Sequence, residues 1–383
     1  MRVLYVAPRY HTNQIPIMKG WIREGHKVLF LSQLLGTGED HRDVKPVILG
    51  YSRLYRVLFG ILNRLQSRTD IDDQFRISSK TGFPPYVRMK RLIREFKPDV
   101  AILRERSLYN IVAYRICKRL GIPAILYNQS PVWEKKRGKK SLLWKAVRKL
   151  SPAYRMTVSL GEKGPGMVRD PHTYYISFVM EPHMRPEEKT YFKDGIVHFL
   201  FVARFVEWKN HMVVLPVFRN LVRKGYPIHL TTVGQVGSVA EKEFYQGVVR
   251  YLKENDLESH VTLVQNADRD RVFEEYKKAD VFLLPSKEPI SVSQLEAMSC
   301  SLPVICSDLP GKATYVKNEV NGYLVKVNDA ADLEDKMEKI INDRDRLQEM
   351  GRKSLELVEE NASFANYYHM IGRILADMKK EER

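Results

Sequence analysis

Two glutamates, Glu288 and Glu296, are separated by seven residues in the stretch Ser286 to Asp308, SKEPISVSQLEAMSCSLPVICSD. The apolar run Val281 to Pro285 before them has the length of a buried strand, and Ser291 to Ser299 carries apolar residues at helical spacing. Glu288 is therefore placed at a strand-to-helix junction, with Glu296 two helical turns along, roughly 12 Å away at about 1.5 Å per residue. A glycosidase pair stands about 5 to 9.5 Å apart. The spacing instead suits two contacts to one elongated ligand laid over a helix N-terminus, whose free N–H groups and dipole favour phosphate. Spacing alone leaves open that both carboxylates are simply solvated.

A second segment adds cations. Phe199 to His211, FLFVARFVEWKNH, ends an apolar strand with Arg204 and places Lys209 five residues later at a helix start. Two cations at a strand's carboxyl end suit a diphosphate, with ordinary strand-end solvation as the alternative.

Together these segments resemble the retaining glycosyltransferases of family 4, the group 1 glycosyltransferases, which have the two-domain GT-B fold. The resemblance covers most of residues 196 to 330 and is carried by the order of several strings. These are the paired glutamates, Arg204 with Lys209, Glu296-Ala297-Met298, Leu302-Pro303-Val304-Ile305, and Asn321-Gly322-Tyr323-Leu324-Val325. It implies two Rossmann-like parallel-sheet domains facing a central cleft, and transfer of a sugar from a nucleotide-diphosphate donor with no metal and no cofactor. Arg204, Lys209 and Glu288 would be the catalytic set, with Arg204 and Lys209 on the donor diphosphate and Glu288 facing the sugar. Glu296 would contact the ribose hydroxyls. The backbone at Ser291 and Val292 would meet phosphate, and Gln265 and Asn266 the base.

The chain departs from the family pattern at several points. Ser291 and Ser301 stand where glycines are common, and Thr314 where an acidic residue is frequent. The loop Pro8 to Pro16 lacks the usual Gly-Gly pair, leaving Arg9, His11 and Asn13 as acceptor-side candidates. Asn128-Gln129-Ser130 follows a strand after which some relatives have a histidine, so no catalytic base is assigned.

The elements that must position these residues alternate along the chain. Strand-like runs at Val3 to Ala7, Lys27 to Leu31, Val100 to Leu103, Ala124 to Tyr127 and Met156 to Ser159 are followed by a second set. That set is Val197 to Ala203, His229 to Val233, Val261 to Val264, Val281 to Leu284 and Val304 to Cys306. Helical patterns between them predict α/β architecture with parallel sheets and ligands beyond the strands' carboxyl ends. With 383 residues and 44% hydrophobic content, two cores are expected. We place an acceptor-side domain at 1–185 and a donor-binding domain at 191–363, meeting in the polar stretch Glu181 to Lys193. The resemblance implies that the final helix, 364–383, joins the first domain.

Charge is unevenly spread. Residues 1–190 hold 36 Lys and Arg against 16 Asp and Glu, while residues 191–383 hold 27 against 30. The surplus concentrates at 53–68, RLYRVLFGILNRLQSR, and at 135–149, KKRGKKSLLWKAVRK, where cations interleave with large apolar residues. Both have the pattern of interfacial amphipathic helices for an anionic membrane surface, or of packed helices with a solvated cationic face. Nucleic acid is the other anionic partner, but no known recognition module is present. No run approaches about 18 apolar residues. A cytoplasmic protein, peripheral on the inner membrane face, is expected, and Cys117, Cys300 and Cys306 form no disulfide framework. The partners implied are a nucleotide sugar and a lipid-linked or glycan acceptor, in cell-surface polysaccharide or glycolipid synthesis. A non-catalytic nucleotide-sugar-binding partner, or a GT-B epimerase or phosphorylase, is the alternative.

Overall fold

The computed structural model describes residues 1–35, 42–65, 77–105, 107–135, 154–288 and 291–381. The chain divides into two compact units, residues 1–179 with 364–383, and residues 180–363.

The first unit is built on the strands β1 (Arg2–Ala7), β2 (Lys27–Ser32), β3 (Val47–Ile48), β4 (Val100–Arg104), β5 (Ala124–Asn128), β7 (Arg155–Thr157) and β9 (Thr173–Tyr175). They form one parallel sheet in the order β3-β2-β1-β4-β5-β7-β9. A two-stranded antiparallel ladder of β6 (Trp133–Lys135) and β8 (Met167–Arg169) stands apart from it. Helices α1 (Ile15–Arg23), α2 (Arg53–Leu65), α3 (Tyr86–Phe96) and α4 (Leu108–Arg119) alternate with the strands. A parallel sheet needs such crossovers, and its central strands read as continuous apolar runs because both faces are covered. On one face, Leu4, Val6, Leu103 and Leu126 pack with Met89 and Ile93 of α3 and Tyr109, Ala113 and Ile116 of α4.

On the other face the terminal helix Phe364–Glu381 is part of this unit. Trp21 Nε1 donates to Tyr5 Oη at 2.8 Å, and Tyr5 Oη lies 2.9 Å from Tyr367 Oη. The Phe364 ring meets Trp21 edge-on at 5.2 Å. An aromatic cluster with its polar atoms paired thus holds the last helix to β1 and α1.

Helix α2 turns its apolar stripe outward. Leu54, Val57, Leu58, Ile61 and Leu62 recur at helical spacing and are all about half exposed or more, from 49% to 71%. The inward side is aromatic, with Tyr55 stacked on Phe59 and its hydroxyl 2.9 Å from Thr81 Oγ1. The second basic segment, 135–149, lies outside the described residues apart from Lys135 at the end of β6.

The second unit has the strands β10 (Val197–Val202), β11 (Ile228–Gly234), β12 (Val261–Gln265), β13 (Val281–Leu284), β14 (Val304–Ser307) and β15 (Gly322–Val325). They form a parallel sheet ordered β12-β11-β10-β13-β14-β15. Its helices are α5 (His211–Arg223), α6 (Val239–Glu254), α7 (Arg269–Lys278), α8 (Val292–Ser299), α9 (Ala330–Asn342) and α10 (Leu347–Asn361). The polar stretch Glu181 to Lys193 is packed within this unit. Lys189 is buried and donates to the carbonyls of Tyr276 at 3.1 Å and Lys277 at 2.6 Å, at the end of α7.

Gly322 opens β15 with φ +146°, and a Cβ there would lie 1.9 Å from the Val304 carbonyl oxygen of the neighbouring strand. Gly247, inside α6, has nothing within 4 Å of the same position. Gly322→Ala should cost about 2 kcal/mol or more through overpacking and backbone strain. Gly247→Ala should instead gain about 0.5–1 kcal/mol from helix propensity. Thermal unfolding of the two variants tests this, and midpoints shifting the same way would contradict the packing described.

Candidate functional site

Strands β10, β13 and β14 are neighbours, so the loops at their carboxyl ends converge. After β10 the chain passes Arg204 and makes a 3-10 turn at Glu207–Lys209. Lys209 is 9% exposed, and its Nζ donates to Glu288 Oε2 at 2.5 Å. The other carboxylate oxygen of Glu288 accepts from Trp208 Nε1 at 2.9 Å. The two loops are further stapled by the Lys287 amide donating to the Trp208 carbonyl at 3.0 Å. Asn210, with φ +66°, donates through Nδ2 to the Pro285 carbonyl at 2.6 Å and to Asn328 Oδ1 at 3.0 Å. The turn that presents Lys209 is thereby tied to the loops after β13 and β15.

Directly behind this turn, His211 begins α5 and is buried against Phe201 and Phe205, with ring centroids 4.5 and 4.8 Å away. Neither ring nitrogen has a hydrogen-bond partner among the described residues. Burial, and then the charge of Lys209, hold its pKa down at about 3, so the imidazole is a neutral packing element.

Arg204 is engaged elsewhere. Its guanidinium pairs with Glu241 Oε1, while Glu241 Oε2 accepts the amides of Gly237 and Ser238, each at 2.9 Å. Ser238 caps α6, and its Oγ accepts the Glu241 amide at 3.3 Å. Burial opposes ionisation of Glu241, but the two amides and Arg204 outweigh it and hold the carboxyl below the ordinary range.

The two glutamates that motivated the site belong to separate networks. Glu296 lies on α8, 7% exposed, with Oε1 accepting from Arg269 at 3.1 Å and Oε2 from the Tyr276 hydroxyl at 3.2 Å. Ser291 at the start of α8 is extended, with φ −140°, a conformation that does not require glycine. Its hydroxyl lies 2.7 Å from Ser293 Oγ and caps no helix N–H. The N–H groups of the first turn, from Val292 on, therefore have no side-chain cap, as an anion site at that end requires.

Gln265 is exposed at the end of β12. Asn266, with φ +50°, has its side chain clamped to the backbone of Val236, accepting from N at 2.9 Å and donating to O at 3.3 Å. It joins two loops and holds them in register. Ser301 has φ +56°, the left-handed region that favours glycine. Its hydroxyl donates to the Met184 carbonyl at 2.7 Å. Cys300 is buried, and burial pushes its thiol up to about 12, which makes it a packed, protonated side chain.

In the first unit, Arg9 Nε donates to His11 Nε2 at 3.2 Å, and the His11 amide donates to Gln14 Oε1 at 2.8 Å. Crowding by surrounding protein, then the charges of Arg9 and Arg104, hold the imidazole pKa at about 4. Asn13 lines a cavity of about 30 Å³ with Arg104 and Tyr127, room for roughly one water molecule. Asn128 Nδ2 donates to Glu105, whose other oxygen accepts from Arg155 at 2.9 Å in a buried pair. Asn128 is thus committed to fixing the end of β5. Among the described residues, no group of three or more His, Cys, Asp or Glu is placed to hold a metal ion. No described helix is long and apolar enough to cross a membrane.

Trp208, Glu241, Arg269 and Lys312 hold these loops and helices without standing among the residues that the sequence singles out. One signal was present, since Ser238-x-x-Glu241 has the spacing of a capping box. The partners of Glu296, 27 and 20 residues away, have no such local mark.

Glu241 supplies a pH test. Its lowered carboxyl pKa contributes stability above the unfolded value and loses it as pH falls through the folded value. Glu241→Gln should be less stable than wild type near pH 6 by about 1–2 kcal/mol, with the gap closing as pH approaches 3. Denaturation midpoints across that range measure it, and a gap that widens on acidification would rule it out.

Comparison with known proteins bears on this second unit above all. Residues 187–356 match the family model described as glycosyl transferases group 1. The D-inositol 3-phosphate glycosyltransferase of Nocardia farcinica is 27% identical over 159 residues, 40% of this chain and 35% of that protein. The capsular polysaccharide biosynthesis glycosyltransferase CapM of Staphylococcus aureus is 26% identical over 167 residues, 43% of this chain and 41% of that protein. The chain thus spans about two fifths of the length of these curated relatives. The crystal structure of Anabaena Alr3699/HepE in complex with UDP and glucose superposes with a TM-score of 0.68 at 13% identity, covering 98% of this chain and 100% of that one. The fold is that of the GT-B glycosyltransferases, and the segment 187–356, which holds Arg204, Lys209, Glu288 and Glu296, matches the group 1 glycosyl transferase family.

Proposed function

We propose that this chain is a retaining family 4 glycosyltransferase that moves a sugar from a nucleotide-diphosphate donor to a lipid-linked or glycan acceptor at the cytosolic membrane face. The observation that carries the donor half is the Lys209–Glu288 pair beside the uncapped N-terminus of α8. A diphosphate at that helix end competes with Glu288 for the Lys209 ammonium, freeing the carboxylate to accept hydroxyls of the sugar. As the bond from the anomeric carbon to the diphosphate oxygen breaks, negative charge grows on the leaving group. Lys209 and the helix N–H groups stabilise that charge more in the transition state than in the ground state. In this reading cationic side chains take the place of a divalent ion. The solved relative with UDP and glucose, and the relative named for capsular polysaccharide biosynthesis, support a nucleotide sugar as donor and a cell-surface glycan as product.

A panel of nucleotide sugars screened by thermal shift should contain one that raises the melting temperature, because a ligand of the folded state stabilises it by mass action. Lys209→Met should abolish that shift and lower turnover about 10²–10³-fold, the scale of losing one transition-state donor. A panel with no stabilising member would sink the donor reading. Binding without sugar transfer or release would favour the non-catalytic alternative, and an altered free nucleotide sugar would favour an epimerase.

The membrane half is supported by α2, whose outward apolar stripe lies beside the exposed cations Arg53 and Arg56. A stripe of this kind inserts at the acyl boundary while the cations meet anionic headgroups. Vesicles containing anionic lipid should sediment the protein, whereas neutral vesicles should not. Leu58→Glu with Ile61→Glu should reduce the bound fraction at least tenfold without changing the melting temperature. Binding indifferent to both changes would refute a role for α2.

A further inference from the structure

The loops after β10, β13 and β14 each bring a charged side chain to the same end of the sheet: Lys209, Glu288 and Lys312. Lys312 opens the 3-10 turn Lys312–Thr314 and is preceded by Gly311 at φ +91°. It is 2% exposed, and its Nζ donates at 2.5 Å to Oε1 of Gln294, the third residue of α8, which is equally buried. Burial is the largest influence on its ammonium and lowers the pKa; Lys209 acts the same way, and Cys306 and Glu288 oppose.

A buried ammonium whose hydrogen-bond acceptor is a neutral amide is poorly compensated. Lys209 and Glu288 both act on the Lys312 ammonium, and Gln294 ties it to the first turn of α8, whose N-cap Ser291 makes no side-chain cap. Among the described residues the Lys312 ammonium has an amide acceptor and no carboxylate ion pair. We propose that Lys312 is a third cation of the donor site, a positioning residue that acts through Gln294 and through its field to favour a diphosphate over a neutral nucleoside. This inference rests on the donor reading above and adds a residue to it.

The discriminating measurement is calorimetric titration of the full chain with UDP, GDP, uridine and guanosine. Lys312→Met removes the charge at nearly constant shape, and Gln294→Glu neutralises it in place. Both variants should weaken whichever nucleoside diphosphate wild type binds by tenfold or more while leaving the matching nucleoside unchanged. Their melting temperatures should hold or rise, since replacing or pairing a buried charge is often neutral or stabilising. If Lys312→Met fails to fold, Gln294→Glu carries the test. Unchanged diphosphate affinity, or equal weakening of nucleoside and diphosphate, overturns the role of Lys312 alone. Absence of binding by wild type overturns the donor reading and this inference with it.

Discussion

The second unit is organised around a buried cation that must be neutralised. Lys209 is drawn under the loops by the 3-10 turn and by Asn210, and an ammonium so placed cannot keep its hydration shell. Glu288 supplies the counter-charge, and Trp208 fixes which carboxylate oxygen is left to do so. From that pair follow the convergence of the loops after β10 and β13 and the staple through Lys287. His211, two residues on, is kept neutral first by its burial against Phe201 and Phe205 and then by the charge of Lys209. A parallel sheet makes the arrangement possible, since it places every strand's carboxyl end, and the start of the next helix, on one side.

The alternation of apolar runs and helical patterns made the central strands of both sheets legible from the sequence, because strands covered on two faces need continuous hydrophobic residues. The short strands were not legible in this way. Val47–Ile48 at one edge and Thr173–Tyr175 at the other carry too few residues to show a period. The site divides along the same line. Lys209 and Glu288, which pair, stand after strand ends, which local pattern encodes. The pairing of Arg204 with Glu241, and of Glu296 with Arg269 and Tyr276, depends on which helices the sheet brings together, and residue spacing is silent on that.

Ser291, Ser301 and Asn128 meet different physical demands. Ser291 sits in extended backbone, so a side chain there costs nothing in φ. Ser301 occupies the left-handed region, where its Cβ is disfavoured, and its hydroxyl bond to Met184 offsets part of that. Asn128 is a change of task, since its amide completes the buried Glu105–Arg155 group at the end of β5.

Charge and hydrophobicity are distributed so that the two halves of the chain face different chemical problems. The second half is near neutrality overall, with Lys209 and Lys312 buried near the start of α8. There the low dielectric makes each charge count and salt screens it little. The first half carries the excess of cations, many on surface helices, where each is solvated and individually weak. Surface cations of that kind become effective in numbers, against an extended anionic surface. The stripe of α2 adds what charge alone does not, since apolar residues left half exposed on a helix gain free energy only where something removes them from water.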